Sequence, residues 1–265
     1  MTYDEFVIEL AAVLVDKSWD AETNRLVLGL SRTFSSDELE MYLFLLRKFI
    51  KITWVQYEFE LMKALDCVPN GMLTNKEIYV VPMQVKNCSS ASVVCRLFMM
   101  SSALKGHVNI KGSSFSSCSE DVKIPRKMRR KSKAIILLLD DYIGSGYTAF
   151  ERISEIKKQV DITDEQIKLL SIAGAKSGID FLSCFFDVFC PLIQDKGISS
   201  IRNNSLKDEY STSVLNVASR YNLDRAFGYS GCEGTISLMN TPNNTFQMFH
   251  DEQRMKNPPF PRKSV

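Results

Sequence analysis

The sequence predicts an α/β fold with a central, mainly parallel sheet flanked by helices, preceded by a helical segment. Three observations predict it. Apolar runs are continuous rather than alternating, above all AIILLL (134–139), which suits central strands covered on both faces. Between such runs the apolar spacing returns to the helical period, and strand–helix alternation implies parallel strands joined by helical crossovers. The first 75 residues carry amphipathic helical patterns and no such run. The chain has 265 residues, enough for one large or two smaller domains, and we place the boundary between 1–75 and 76–265.

The elements follow in order. Phe6, Leu10, Val13 and Leu14 recur at helical spacing, and Ala21–Arg32 reads as a second helix. Ser35 with Glu38 three residues on is a capping-box signature and opens a third helix through Leu39, Tyr42, Leu43 and Leu46. Thr53–Leu65 predicts a fourth helix, ended by Pro69 and Gly71. These helices form either a small bundle or a winged helix. IYVVPM (78–83) is a short buried strand, QVKNCSSAS (84–92) a polar loop, and SVVCRLFMM (92–100) a helix. Residues 105–133 read as irregular. After the strand 134–139 come a helix over Thr148–Val160, a strand over 167–175 and a helix near Gly178–Val188. FCPLI (189–193) suggests a further strand, Ser211–Tyr221 a helix and GTISLMN (234–240) a late strand.

Composition narrows the function classes. Net charge is +2, so no global field draws the chain to nucleic acid or membrane. Seven cysteines without a C-x-x-C pair point to reduced thiols, and two histidines exclude a histidine-rich metal site. Asp4, Glu5, Glu9 and Asp16 stand where a signal peptide is basic, and no run of about 18 uncharged apolar residues is present. A cytoplasmic location without a membrane span is expected.

ILLLDDYIGSGYT (136–148) places Asp140 and Asp141 at the carboxyl end of the clearest strand, where ligands of open parallel sheets bind. Gly144, Ser145 and Gly146 follow, with little side-chain bulk to keep backbone N–H groups from a phosphate. A helix starting near Thr148 adds a positive dipole end and hydroxyl donors. Carboxylates repel phosphate, so Asp140 and Asp141 suit another part of the ligand: a sugar diol, held directly or through Mg²⁺. The chemistry asks for a sugar phosphate. A Walker B reading needs a G-x-x-x-x-G-K-[ST] loop and a receiver reading needs more acidic residues near the first strand; the chain offers neither. Helix capping by the two aspartates is the bland alternative.

The same stretch resembles the signature of the type I phosphoribosyltransferases: a hydrophobic strand, two acidic residues, three spacers, then Thr/Ser-Gly-x-Thr. The resemblance implies that Asp140 and Asp141 hold the ribose hydroxyls of phosphoribosyl pyrophosphate (PRPP) and Mg²⁺. It implies that Gly144, Ser145, Gly146, Tyr147 and Thr148 hold the 5-phosphate. The family's earlier pyrophosphate loop maps onto VVPMQVKNCSSAS (80–92), with Lys86, Ser89 and Ser90 as donors; an ordinary polar strand–helix turn explains that stretch equally well. The base-binding hood of the salvage enzymes is not recognisable. Together with TPNNT (241–245) and a terminal PFPR (259–262), the signature is similar to a divergent bacterial branch found with conflict and antiphage systems, including retron-type reverse transcriptase operons. That likeness implies an effector or toxin held in check by partners; family members often form homodimers.

Other residues stay open. The run 123–133 concentrates Lys123, Arg126, Lys127, Arg129, Arg130, Lys131 and Lys133. It is a solvated charge run, a loop closing on pyrophosphate, or a contact for a reverse transcriptase or nucleic-acid partner. Asn243 and Asn244 either read a base edge or cap a turn; Phe246 and Phe249 either stack a base or fill a core. His107 and Glu120 are candidate general bases. Two function classes result: a transferase or hydrolase acting on PRPP, and a catalytically inactive nucleotide sensor assembling with a protein or nucleic-acid partner.

Overall fold

A computed structural model describes residues 1–84, 89–117 and 134–262. The chain divides into two compact units: Met1–Ile52 with Asp195–Val265, and Thr53–Gln194.

The first unit joins the two ends of the chain. Helices α1 (Tyr3–Lys17), α2 (Ala21–Ser31) and α3 (Ser36–Lys48) are the expected N-terminal helices. Each starts where a polar side chain meets orphan N–H groups: Thr2 with Glu5, Asp20 accepting from Thr23, and Ser35 donating its N–H to Glu38 (2.8 Å). The strand β1 (Ile50–Lys51) follows, and the other helix of this unit (Asn204–Tyr221) runs seven residues further upstream than its apolar pattern suggests, because Asn203 caps it by accepting from Leu206. The predicted late strand shrinks to Ile236–Ser237, which pairs in parallel with β1. That parallel pair is not the antiparallel hairpin of a wing. The core is aromatic: Phe49 stacks on Phe260 at 3.9 Å, Trp19 meets Phe260 edge-on at 5.1 Å, and Tyr42 stacks on Phe249. Phe260, in the terminal PFPR, is therefore a core residue.

The second unit is the α/β sandwich. Helix α4 (Tyr57–Asp66) precedes β2 (Glu77–Pro82), α5 (Ser90–Met100), the short α6 (Ser102–Lys105) and β3 (Ser114–Ser117). Next come β4 (Ala134–Ile143), α7 (Tyr147–Gln159), β5 (Ile167–Ala175), α8 (Lys176–Ser183), β6 (Asp187–Phe189) and β7 (Leu192–Gln194). All pairings are parallel, in the order β3-β2-β4-β5-β6, with β7 also on β5. The α/β class and parallel sheet are as expected. Alternate residues of β2, β4 and β5 (Tyr79, Val81; Ile136, Leu138; Leu169) form one cluster with Ile153 and Ile156 of α7 and Ile179 and Leu182 of α8. Helices α4 and α5 pack on β5 and on β2 and β4.

Several expectations change. The boundary does not fall at residue 75: α4 belongs to the sheet unit, and residues 195–265 belong with the N-terminal helices. The serine-rich stretch read as irregular contains β3, an exposed edge strand that backbone pairing rather than apolar burial puts on the sheet. FCPLI is two short strands, divided at Pro191, which has no N–H for a ladder. Cys67, Cys184, Cys190 and Cys232 are free thiols. No described helix is long and apolar enough to cross a membrane.

Candidate functional site

From β2 the chain moves outward to β3, then returns on the other side of β2 through β4 and continues to β5. The direction of winding reverses between β2 and β4, so their carboxyl ends flank the crevice of a topological switch point. Asp140 and Asp141 stand at that end of β4, and the N-terminus of α5 stands beyond β2. Ser90 Oγ donates to Asp140 Oδ1 at 3.4 Å, which brings the second candidate loop to the acidic pair.

Asp141 is 3% exposed and accepts from the Tyr57 hydroxyl at 2.9 Å; Tyr57, on α4, is itself fully buried. The Asp141 N–H donates back to Asp140 Oδ1 at 2.8 Å. Burial, and then the neighbouring Asp141 charge, hold the Asp140 carboxyl well above the usual carboxylate range. Burial also raises Asp141, against the hydrogen bonds from Ser90 and Tyr57. Two adjacent carboxylates, Asp141 buried and Asp140 half-buried, both with raised proton affinity, are a site that a cation would relieve. Among the described residues no group of three or more His, Cys, Asp or Glu side chains could hold a metal ion. A cation here would draw its remaining ligands from solvent and substrate, a donor set that suits Mg²⁺.

The loop Gly144–Gly146 turns the chain from β4 into α7. Gly146 has φ +80°, the left-handed region, and as the N-cap of α7 offers no side chain to its first turn. The Tyr147 N–H lies 3.5 Å from Ser145 Oγ; the Tyr147 and Thr148 side chains face solvent. The loop rests on α8: a Cβ on Gly178 would lie 1.9 Å from the Gly144 carbonyl oxygen. Gly178 thus permits a close backbone approach that fixes the loop from behind.

The structure brings together Asp140, Asp141, Ser90 and the 144–148 loop. Ser89 is engaged as the cap of α5, accepting from Ser92 N–H (3.2 Å) and donating to the Gln84 carbonyl (3.1 Å). Lys86, Glu120 and the basic run 123–133 lie outside the described residues. His107 is not near the pair: it precedes β3, at the amino end of the sheet, where its ring bonds Asp66 (3.0 Å) at the end of α4. Tyr57 and Gly178 were not anticipated. Gly178 had a signal, a glycine three residues past a strand end; Tyr57 had none, since its role depends on where α4 packs.

In the other unit, Asn244 is a turn residue: its amide donates to the Tyr229 carbonyl and to Cys232 Sγ, both at 3.2 Å. Phe246 and Phe249 are fully buried core residues, which settles their alternatives against base stacking.

A family model described as PRTase-CE matches residues 34–262. The chain belongs to the PRTase-CE family. The match takes in α3, the sheet unit and residues 195–262, while α1 and α2 precede it. A solved hypoxanthine-guanine-xanthine phosphoribosyltransferase is similar at TM-score 0.33 and 10% identity, over 53% of this chain and 75% of that one. A likeness that loose carries no argument about residues or ligands. No curated protein matches the sequence.

Proposed function

We propose that this PRTase-CE protein binds PRPP or a related ribose phosphate with Mg²⁺, and transfers or hydrolyses the phosphoribosyl group. One observation carries the reading: an acidic pair with raised proton affinity and a glycine loop opening a helix meet at the carboxyl end of one strand, beside a switch point. N–H groups at the start of α7, where the N-cap Gly146 has no side chain to cap them, suit the 5-phosphate; Asp140 and Asp141 suit the ribose hydroxyls. When bound at the acidic pair, Mg²⁺ would supply charge neutralisation for a departing pyrophosphate. The chain's own residues orient the sugar: Tyr57 and Ser90 fix the two carboxylates, and Gly178 fixes the loop. The C1–O bond to pyrophosphate breaks, and water or an acceptor hydroxyl or amine adds to C1, losing a proton to solvent.

Phosphorus NMR with PRPP and Mg²⁺ tests this, comparing wild type with Asp140→Asn/Asp141→Asn. Pyrophosphate release lost in the double variant supports turnover. Shifted PRPP signals without turnover support the sensor reading. Neither at millimolar PRPP overturns the ligand assignment. A part in bacterial antiphage defence with a reverse transcriptase or nucleic-acid partner rests on the motif likeness alone. Plaque counts in cells carrying wild type or the double variant test the defence role; salt-dependent oligonucleotide binding by a variant neutralised at Arg126, Lys127, Arg129 and Arg130 tests the partner.

A further inference from the structure

A cluster of aromatic rings stands open beside the glycine loop. Phe150 of α7 meets Phe181 of α8 at 5.6 Å and Phe185, just past α8, at 5.7 Å; Phe181 meets Phe185 edge-on at 5.8 Å. Phe181 is 39% exposed and Phe185 52%. Tyr147, three residues before Phe150 and so its neighbour on α7, is 59% exposed. Phe181 Cδ1 lies 3.1 Å from where a Cβ on Gly146 would sit, so its ring abuts the loop at the N-cap of α7. All of these residues belong to the sheet unit.

Rings this open contribute little to the core, and a contiguous apolar patch of a few hundred Å² marks a binding surface. At about 200 Å² per aromatic side chain, the open parts of Tyr147, Phe181 and Phe185 come to about 300 Å². Each partner of a stable dimer contributes about 800 Å², so a second copy of the chain is not what covers the patch. A nucleic-acid strand follows free cations along its backbone. Lys157, over the Phe186 ring next to Phe185, is held by Asp164, and Lys176, at the start of α8, is held by Asp180 (2.9 Å). One flat ring linked to a phosphate fits both features: the N–H groups at the start of α7 suit the phosphate, and the rings beside them suit the base.

We infer that the ribose phosphate held at Asp140–Thr148 is one half of a dinucleotide, its 5-phosphate joined to a second nucleotide whose base stacks on Tyr147, Phe181 and Phe185. The inference rests on the ribose-phosphate reading of that site and narrows its ligand. The 5-phosphate passes across the start of α7 rather than ending there, with the ribose on the side of Asp140 and Asp141 and the second nucleotide on the side of the rings. PRPP ends at its 5-phosphate, so it fills the loop and leaves the rings bare.

Ribose 5-phosphate and ADP-ribose differ by one adenylate on the 5-phosphate, so the pair measures what the rings contribute. The full chain is titrated calorimetrically with each in Mg²⁺, and with adenylyl-(3′→5′)-adenosine as the strand linkage. The expected result is ADP-ribose at least about fivefold tighter than ribose 5-phosphate, with adenine H2 and H8 shifted upfield in proton NMR by the ring currents. Phe185→Ser, at an exposed position, loses at least about fivefold in ADP-ribose affinity while ribose 5-phosphate binds as in wild type. Equal affinity for the two ligands overturns the inference and leaves the ribose-phosphate reading in place. A gain without upfield shifts, or one that Phe185→Ser retains, comes from the second phosphate and also overturns it. Tighter binding of the 3′→5′ linkage than of ADP-ribose overturns the dinucleotide in favour of a strand. No binding of ribose 5-phosphate, PRPP or ADP-ribose at millimolar concentration removes the ribose-phosphate reading and the inference with it. The wild-type titrations and shifts are decisive even if Phe185→Ser does not fold.

Discussion

Replacing Gly178 by alanine tests the site at its least forgiving contact. The new Cβ would sit 1.9 Å from the Gly144 carbonyl oxygen, 2.9 Å from its carbon and 3.0 Å from the Gly146 nitrogen. Cβ atoms essentially never come nearer than 3.0 Å to another heavy atom, so loop and helix must separate by at least 1.1 Å. Both sides of the contact are backbone, and no side-chain rotation relieves it. Overpacking of this kind costs about 1–3 kcal/mol. The same displacement moves the N–H groups assigned to the 5-phosphate, and a misplacement of about 1 Å costs on the order of 100-fold in turnover. The assay pairs thermal unfolding with calorimetric titration of PRPP and Mg²⁺. Gly29→Ala is the control: Gly29 lies inside α2 with nothing within 4 Å of a Cβ, and alanine there adds up to about 1 kcal/mol of stability with affinity unchanged. A Gly178→Ala protein that keeps wild-type melting and affinity would falsify the seating of the loop. One that melts earlier but binds PRPP unchanged removes the phosphate from this loop.

Three further expectations follow from the geometry. Asp140 keeps its proton in the fold above the pH at which the unfolded chain, near 3.9, has lost it. Stability of the cation-free protein therefore falls as pH climbs from there to the raised folded value and then levels. Asp140→Asn flattens that slope and raises the melting temperature near neutral pH; a slope unchanged in the variant refutes the assignment. Tyr57→Phe removes a buried donor from Asp141 and should cost about 1.5–3 kcal/mol, with weaker Mn²⁺ binding by electron paramagnetic resonance; unaltered Mn²⁺ affinity would rule out its positioning role. Phe249→Ala empties a fully buried aromatic site and should cost about 3–5 kcal/mol in urea unfolding; a loss below about 1 kcal/mol would contradict its place in the core.

The central strands and the acidic end of the clearest one were legible because they are local. Ile136–Leu139 is apolar without interruption, and that pattern alone requires cover on both faces. The run Asp140–Thr148 has its chemistry in sequence order, so strand end, acidic pair, turn and helix start could be read directly. β3 was not legible, since one apolar residue, Phe115, among three serines makes no strand pattern, and the strand exists through its pairing with β2. The units were not legible either: α4 carries the same amphipathic pattern as α1–α3, and periodicity says which face is buried without saying against what.

The sequence by itself determined the α/β class, the position of the acidic pair at a strand end and the glycine loop after it, because each depends on neighbours within about ten residues. Tertiary structure alone decided that Tyr57, 84 residues upstream, donates to Asp141, that Ser90 reaches Asp140, and that Gly178 carries the loop. It also decided that Phe246 and Phe249 are core. Those roles depend on which surfaces meet, and the free energy of packing distant segments is not written in the order of the residues that make them.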